Sequence, residues 1–168
     1  LYPIFLSLRG DDFKMTVAVF GEALIDLLIN EGGSFDPFIG GSPFNVAIAL
    51  ARLGVDVDYL APFSDDIFGL QLRAAILAEG VGVPITRSSR LPTSLALVSV
   101  DQHGKPAYRI YREGIADKDI GAAEVMASIS PKTEIFHTGS LAITPDQLGK
   151  VRGLLEMIKS KDILISIQ

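Results

Sequence analysis

Short apolar runs alternate along this chain with segments whose apolar residues recur at helical period, and that alternation limits the fold more than any other feature. β-Rich runs at residues 16–21 and 23–30, a turn at 31–34 and a short run at 35–39 come first. A helix-patterned segment over residues 42–53 follows. Ser42 is placed to cap it, Pro43 sits at its first position, Phe44, Ala47, Ile48 and Ala51 share one face, and Gly54 closes it. The pattern then recurs as a strand at 58–63 and a helix at 67–79 stopped by Gly80. Two β runs at 94–100 and 107–112 are joined through a turn holding Gly104, which predicts a hairpin. A short helix at 124–129 and a strand at 134–138 lead to Thr144-Pro145-Asp146-Gln147, which has the spacing of a capping box. The helix it predicts carries Leu148, Val151, Leu155 and Ile158 on its apolar face, and a last strand spans 163–167.

Strands alternating with helices of this length predict an α/β fold with a parallel sheet. The hairpin breaks that rhythm, so it is expected to project as a separate flap. Parallel strands are normally covered on both faces and flanked by crossover helices. A chain finishing on such a strand therefore reads as the first part of a larger α/β domain.

Composition removes several function classes. With 168 residues the chain is expected to form about one domain, since domains hold ~100–200 residues. It has no cysteine, which excludes disulfides, thiolate metal sites and a cysteine nucleophile, and fits a reducing compartment. The two histidines are His103, in a polar turn, and His137, in an apolar strand; both read as structural. A pI near 5.0 with no Lys/Arg block argues against a nucleic-acid partner. Mean hydropathy is high at +0.37, yet the most apolar stretch, residues 23–29, is interrupted by Asp26 and is far short of the ~20 residues that span a bilayer. Residues 1–8 lack a basic start and a small-residue cleavage site, so they do not read as an export signal. A strand begins directly after Met15, and residues 1–14 are expected to be an upstream or non-native extension.

Three features can carry chemistry. Gly40-Gly41-Ser42-Pro43-Phe44-Asn45 lets main chain approach a ligand without an intervening Cβ, presents free N–H groups at a helix start, and adds the Asn45 amide in the first turn. That set suits a neutral, hydroxyl-rich ligand, and the same residues also serve as an ordinary turn and helix start. Asp26 lies in an apolar run on the same face as Glu22 and Leu24, where it either lines a cleft floor or meets solvent. An ionised Asp there accepts from two adjacent sugar hydroxyls. Tyr108-Arg109-Ile110-Tyr111-Arg112 lies on the second arm of the hairpin, with 108, 110 and 112 on one face and 109 and 111 on the other. It can cover a sugar or simply form a solvated ribbon. There is no G-x-x-x-x-G-K-[ST] loop, no complete dinucleotide fingerprint at Gly80 and Gly82, which disfavours a dehydrogenase-type nucleotide domain, and no G-x-S-x-G elbow.

The order of these pieces resembles the PfkB (ribokinase-like) carbohydrate kinase family, especially its fructokinases. Residues 21–26 (GEALID) are similar to the family's first strand and its sugar-gripping aspartate, and residues 40–54 (GGSPFNVAIALARLG) to its N-terminal signature. Residues 64–69 (SDDIFG) resemble its Gly-Asp-Asp-x-x-Gly with Ser64 in place of glycine, and residues 93–101 (TSLALVSVD) its first long lid strand. Residues 110–117 (IYREGIAD) match the lid segment of fructokinases and ketodeoxygluconate kinases. The resemblance covers about residues 15–167. It implies a ribokinase-like three-layer sandwich with a mostly parallel sheet and a small β-lid built from residues of about 23–40 and 94–113, truncated after its N-terminal half. It also implies ATP-dependent phosphorylation of a sugar hydroxymethyl group, with Mg²⁺ carried by the nucleotide, in the cytoplasm. By position, Asp26, Gly40, Gly41 and Asn45 would bind sugar hydroxyls, Tyr111 and Arg112 would be lid contacts, and the lid would mediate a homodimer.

The family's second signature, Asp-Thr-Thr-Gly-Ala-Gly-Asp, which carries the catalytic base, the anion hole and part of the ATP site, has no counterpart in the sequence. Ile167-Gln168 stands where Asp-Pro-Asn is expected. No residue of this chain is therefore assigned as catalytic, and negligible kinase turnover is expected from it alone. The acceptor expected is fructose, with ketodeoxygluconate or a nucleoside as alternatives; a non-catalytic sugar-binding or dimerising remnant is the reading from another class.

Overall fold

A computed structural model describes residues 15–30, 32–100 and 106–168. The expected extension at 1–14 and the hairpin turn with His103 and Gly104 lie outside the described residues.

Two sheets organise the chain. The first contains β1 (Thr16–Phe20), β4 (Asp56–Tyr59), β7 (Thr133–Thr138) and β8 (Leu164–Ile167) in the order β4-β1-β7-β8, all parallel. Alternation along β1 explains the layering. Val17 and Val19 join Phe44 and Ala47 of α1 (Ser42–Arg52) and Leu72 and Ile76 of α2 (Ile67–Ala78) in one core. Ala18 and Phe20 face the other way, toward Val125 of α3 (Ala122–Ser128) and Val151, Leu154 and Ile158 of α4 (Leu148–Lys159). Helices thus cover both faces of a parallel sheet, the three-layer α/β arrangement expected from the alternation.

The second sheet contains β2 (Leu24–Ile29), β3 (Phe35–Gly40), β5 (Ser94–Val100) and β6 (Pro106–Tyr111) in the order β3-β2-β5-β6. β2 runs parallel to β5, and both outer pairs are antiparallel. The hairpin thus lies outside the parallel sheet, and β2 and β3 complete a four-stranded sheet with it.

Several local expectations are corrected. The runs at 16–21 and 23–30 enter different sheets, and the buried Tyr59 hydroxyl, donating to the Gly21 carbonyl at 2.6 Å, holds the bend between them. β4 begins and ends earlier than 58–63, and Pro62 lacks the N–H that a continuing ladder needs. Ser42 is the first helical residue rather than the cap, because Gly41 occupies the cap position, and the Ser42 hydroxyl donates to Gln168 Oε1 at 2.8 Å. The capping box does not form. Thr144 Oγ1 donates to the Leu141 carbonyl, Asp146 accepts from Lys118 Nζ at 2.6 Å, and α4 starts at Leu148. Leu154, not Leu155, is the fully buried leucine of that helix, and Leu148 is 53% exposed.

Asp66 ties the two sheets' flanks together. As N-cap of α2 it accepts from the Gly69 N–H at 2.7 Å, and also from both the N–H and the hydroxyl of Thr93, just before β5, at 2.7 Å each. Burial works against its charged form, but the bonds from Thr93, Gly69 and Ser64 outweigh that and hold its pKa below the ordinary carboxylate value. A depressed folded-state pKa means the stabilisation is present above the unfolded value, about 3.9, and is lost as pH falls through the folded one. Asp66→Asn is expected to lower stability by about 1–2 kcal/mol at pH 7 and by much less at pH 3, as read by urea unfolding.

Candidate functional site

Ligands of open α/β sheets bind beyond the carboxyl ends of the strands, and two adjoining cavities lie there. One, of about 650 Å³, opens between the first sheet's strand ends and the facing side of the second sheet. Asp26, Gly41, Asn45, Tyr108, Ile110 and Ser140 are among the residues lining it. A second, of about 690 Å³, shares Ile110 and Leu141 with the first and is lined further by Arg112, Lys118 and Asp146.

Register explains the convergence. Leu24, Asp26 and Leu28 share a face of β2, and Asp26 stands opposite Phe38 on β3 and Ala96 on β5, which in turn pairs with Ile110. Asp26 therefore points toward the cavity that α1 closes from below. Its carboxylate accepts no hydrogen bond from any described residue, and partial burial raises its pKa. The Asn45 side-chain amide is likewise without a partner among the described residues and exposed. Free acceptors and donors thus face one volume.

The glycine pair is required by close approach. A Cβ on Gly40 would lie 2.3 Å from Asp26 Oδ2. Gly41 has φ +109°, and a Cβ there would lie 2.5 Å from the Glu22 carbonyl oxygen. Gly40 is buried and does not itself line the cavity; it makes room for the Asp26 carboxylate, while Gly41 lines the cavity directly.

Neither Tyr111 nor Arg112 lines the first cavity, although Arg112 lines the second. Tyr111 pairs with Leu95 on the opposite face of the second sheet from Tyr108 and Ile110 and is 56% exposed, so it is turned away from Asp26. Arg112 is nearly buried. Its Nη1 donates to Asp117 Oδ2 at 2.7 Å and to Ser94 Oγ at 3.2 Å, tying the end of β6 to β5 and to the following turn. Burial pushes the Asp117 carboxyl up, with Arg112 opposing that shift. The wall expected of Tyr111 and Arg112 is supplied by Tyr108 and Ile110.

Sequence reasoning passed over two further wall residues. Glu22 is 1% exposed, lines the cavity, and accepts from the Ser42 N–H at 3.2 Å through Oε1. Its place on the Asp26 face was the available signal. Ser140 has φ +53°, a left-handed conformation unusual for serine, and its N–H donates to the Gln168 carbonyl at 3.3 Å. Nothing in its sequence context announces this beyond the preceding Gly139. His137 is buried with Nδ1 3.0 Å from Ser166 Oγ, and burial lowers its pKa, in keeping with a structural role. Among the described residues no group of three or more His, Cys, Asp or Glu could hold a metal ion, and the wall beside Asp26 offers no cationic side chain to a polyphosphate. These residues fit a neutral polyol and do not fit a magnesium nucleotide.

This is the frame of a ribokinase-like α/β domain with its second sheet. The chain matches the profile of the pfkB family carbohydrate kinases over residues 14–166 and belongs to that family. It is 33% identical to Fructokinase-1 of Oryza sativa subsp. japonica over 162 residues, which cover 89% of this chain and 49% of that protein. The crystal structure of fructokinase from Xylella fastidiosa superposes with a TM-score of 0.81 at 31% identity, covering 92% of this chain and 52% of that one. The form of that fructokinase with bound ATP gives a TM-score of 0.82 at 30% identity, covering 92% and 48%. The chain spans about half the length of the relatives it matches.

Gly41→Ala is expected to lower stability by about 2 kcal/mol in urea unfolding, because the substitution combines a disfavoured backbone conformation with a contact against main chain.

Proposed function

We propose that this chain forms the acceptor-sugar half of a carbohydrate kinase and that the sugar is fructose. The observation that carries the reading is the Asp26 carboxylate, without a hydrogen-bond partner among the described residues, partly desolvated, and aimed into a cavity whose floor is the Gly41–Asn45 helix start. A carboxylate can accept from two neighbouring hydroxyls, Asn45 can donate and accept, and Tyr108 and Ile110 can cover the apolar face of the ring. The relatives that the chain matches are fructokinases, which supports fructose over ketodeoxygluconate.

ATP would supply the phosphoryl group and Mg²⁺ its charge neutralisation. The groups that would hold them belong, by resemblance, to the second signature, for which this sequence has no counterpart. The role of the residues present is to hold and orient the hydroxymethyl group and to exclude water from it; the second sheet acts as the lid. The measurable property of this chain is accordingly sugar binding rather than turnover.

The outer face of the lid carries exposed Ile29, Phe35, Ile39 and Tyr111, an apolar surface that a second copy of the chain would bury. In that arrangement Tyr111 serves subunit contact rather than sugar contact.

Calorimetric titration of fructose into the chain tests the assignment. Asp26→Ala is expected to weaken binding by about 10–100-fold, the range for losing hydrogen bonds to a charged group. Binding retained within about threefold would remove Asp26 from the site.

A further inference from the structure

A helix on the surface of a domain normally carries charge on its outer side, and one that is apolar all round is normally buried. α2 breaks that rule. Its inner side packs through Gly69, Leu72 and Ile76. At 100° per residue, Ile67, Leu70, Gln71, Ala74, Leu77 and Ala78 share the opposite arc, and all six are exposed. Ile67, Leu70 and Leu77 stand 48–68% exposed. The single charged residue of the helix, Arg73, lies off that arc and turns its Nη1 to the Thr86 carbonyl at 3.2 Å. Leu53, 79% exposed at the end of α1, extends the apolar surface at the carboxyl end of α2, because its neighbour Arg52 holds Glu79 there through Nε at 2.8 Å. A contiguous apolar surface of this kind marks a contact with another macromolecule.

The charges at its two ends say what that contact is. Asp65 is exposed at the amino end of α2, and the Arg52 guanidinium, its Nη1 without a partner among the described residues, lies at the carboxyl end. Two copies of α2 laid antiparallel bring each Asp65 to the end that holds the other copy's Arg52, and oppose the two helix dipoles. Laid parallel, the copies would set Asp65 against Asp65. We infer that the outer arc of α2 is a self-association surface that takes α2 of a second copy of this chain, packed antiparallel about a twofold axis at Ala74. Ala74 lies at the centre of the arc and is small enough to let the two helices approach. Ile67, Leu70 and Leu77 then interdigitate on either side of it, since their spacing of three and four residues forms a packing ridge. This face lies apart from the outer face of the lid, and the inference does not rest on the sugar-site reading. One helix pair buries less than a standard interface of about 1,600 Å², so the association is weak and concentration-dependent.

Sedimentation velocity over a concentration series tests it, on a chain carrying Phe35→Lys so that the lid surface does not contribute. A dimer fraction that grows with concentration is expected. Adding Leu70→Lys is expected to raise the dimer Kd by at least about tenfold, because a twofold contact counts each substitution twice. Should Leu70→Lys fail to fold, Leu77→Gln makes the same comparison. The chain has no cysteine, so single engineered thiols report the geometry cleanly. Under copper-phenanthroline oxidation Ala74→Cys is expected to cross-link to itself far faster than Ala78→Cys, which an antiparallel pair holds apart. Dimerisation indifferent to Leu70→Lys, or cross-linking as fast at position 78 as at 74, overturns the inference. A chain that stays monomeric throughout the series overturns it too, in favour of a different protein as the occupant of the arc.

Discussion

The close approach of the segment around Gly40 and Gly41 to residues 22–26 is the contact on which the site depends. There the end of the second sheet's β3, the start of α1 and the exit from β1 meet with no room for a side chain. That contact places the Asp26 carboxylate against Gly40, the Glu22 carbonyl against Gly41, and the Glu22 carboxylate on the Ser42 N–H. Backbone packed on backbone at such distances is stiff, so the polar groups beside the cavity are preorganised before any ligand arrives.

A second set of polar ties fixes the lid sheet to the layered body. Asp66 reaches from the start of α2 to Thr93 at the mouth of β5, and Arg112 joins the end of β6 to Ser94 and Asp117. Both lie at the root of the sheet, leaving its far strands free of such ties among the described residues. The sheet is thus anchored at its root and carries exposed Ile29, Phe35 and Ile39 on its outer face.

Much of this was legible before any coordinates. Helical period located α1 and α2, and alternation located β5 and β6, because each pattern reports burial of one face. The glycine pair and Asp26 stood out because glycine beside a helix start and a carboxylate in an apolar run are both costly without a reason. Other features were not legible. The Thr144-to-Gln147 spacing satisfied a capping box, yet Lys118 from a distant turn took Asp146. Tyr111 and Arg112 carried suitable chemistry, but the first turns to the outer face and the second is held by Asp117.

By itself the sequence determined the parallel α/β character, the helix start at the glycine pair and the candidacy of Asp26. These follow from local period, backbone freedom and the cost of burying charge, all properties of neighbouring residues. Only tertiary structure decided that Tyr108 and Ile110 form the cavity wall and that Glu22 occupies the end of α1. Each of those depends on groups far apart in the chain competing for the same bond or the same face, and spacing along a sequence carries no record of which competitor wins.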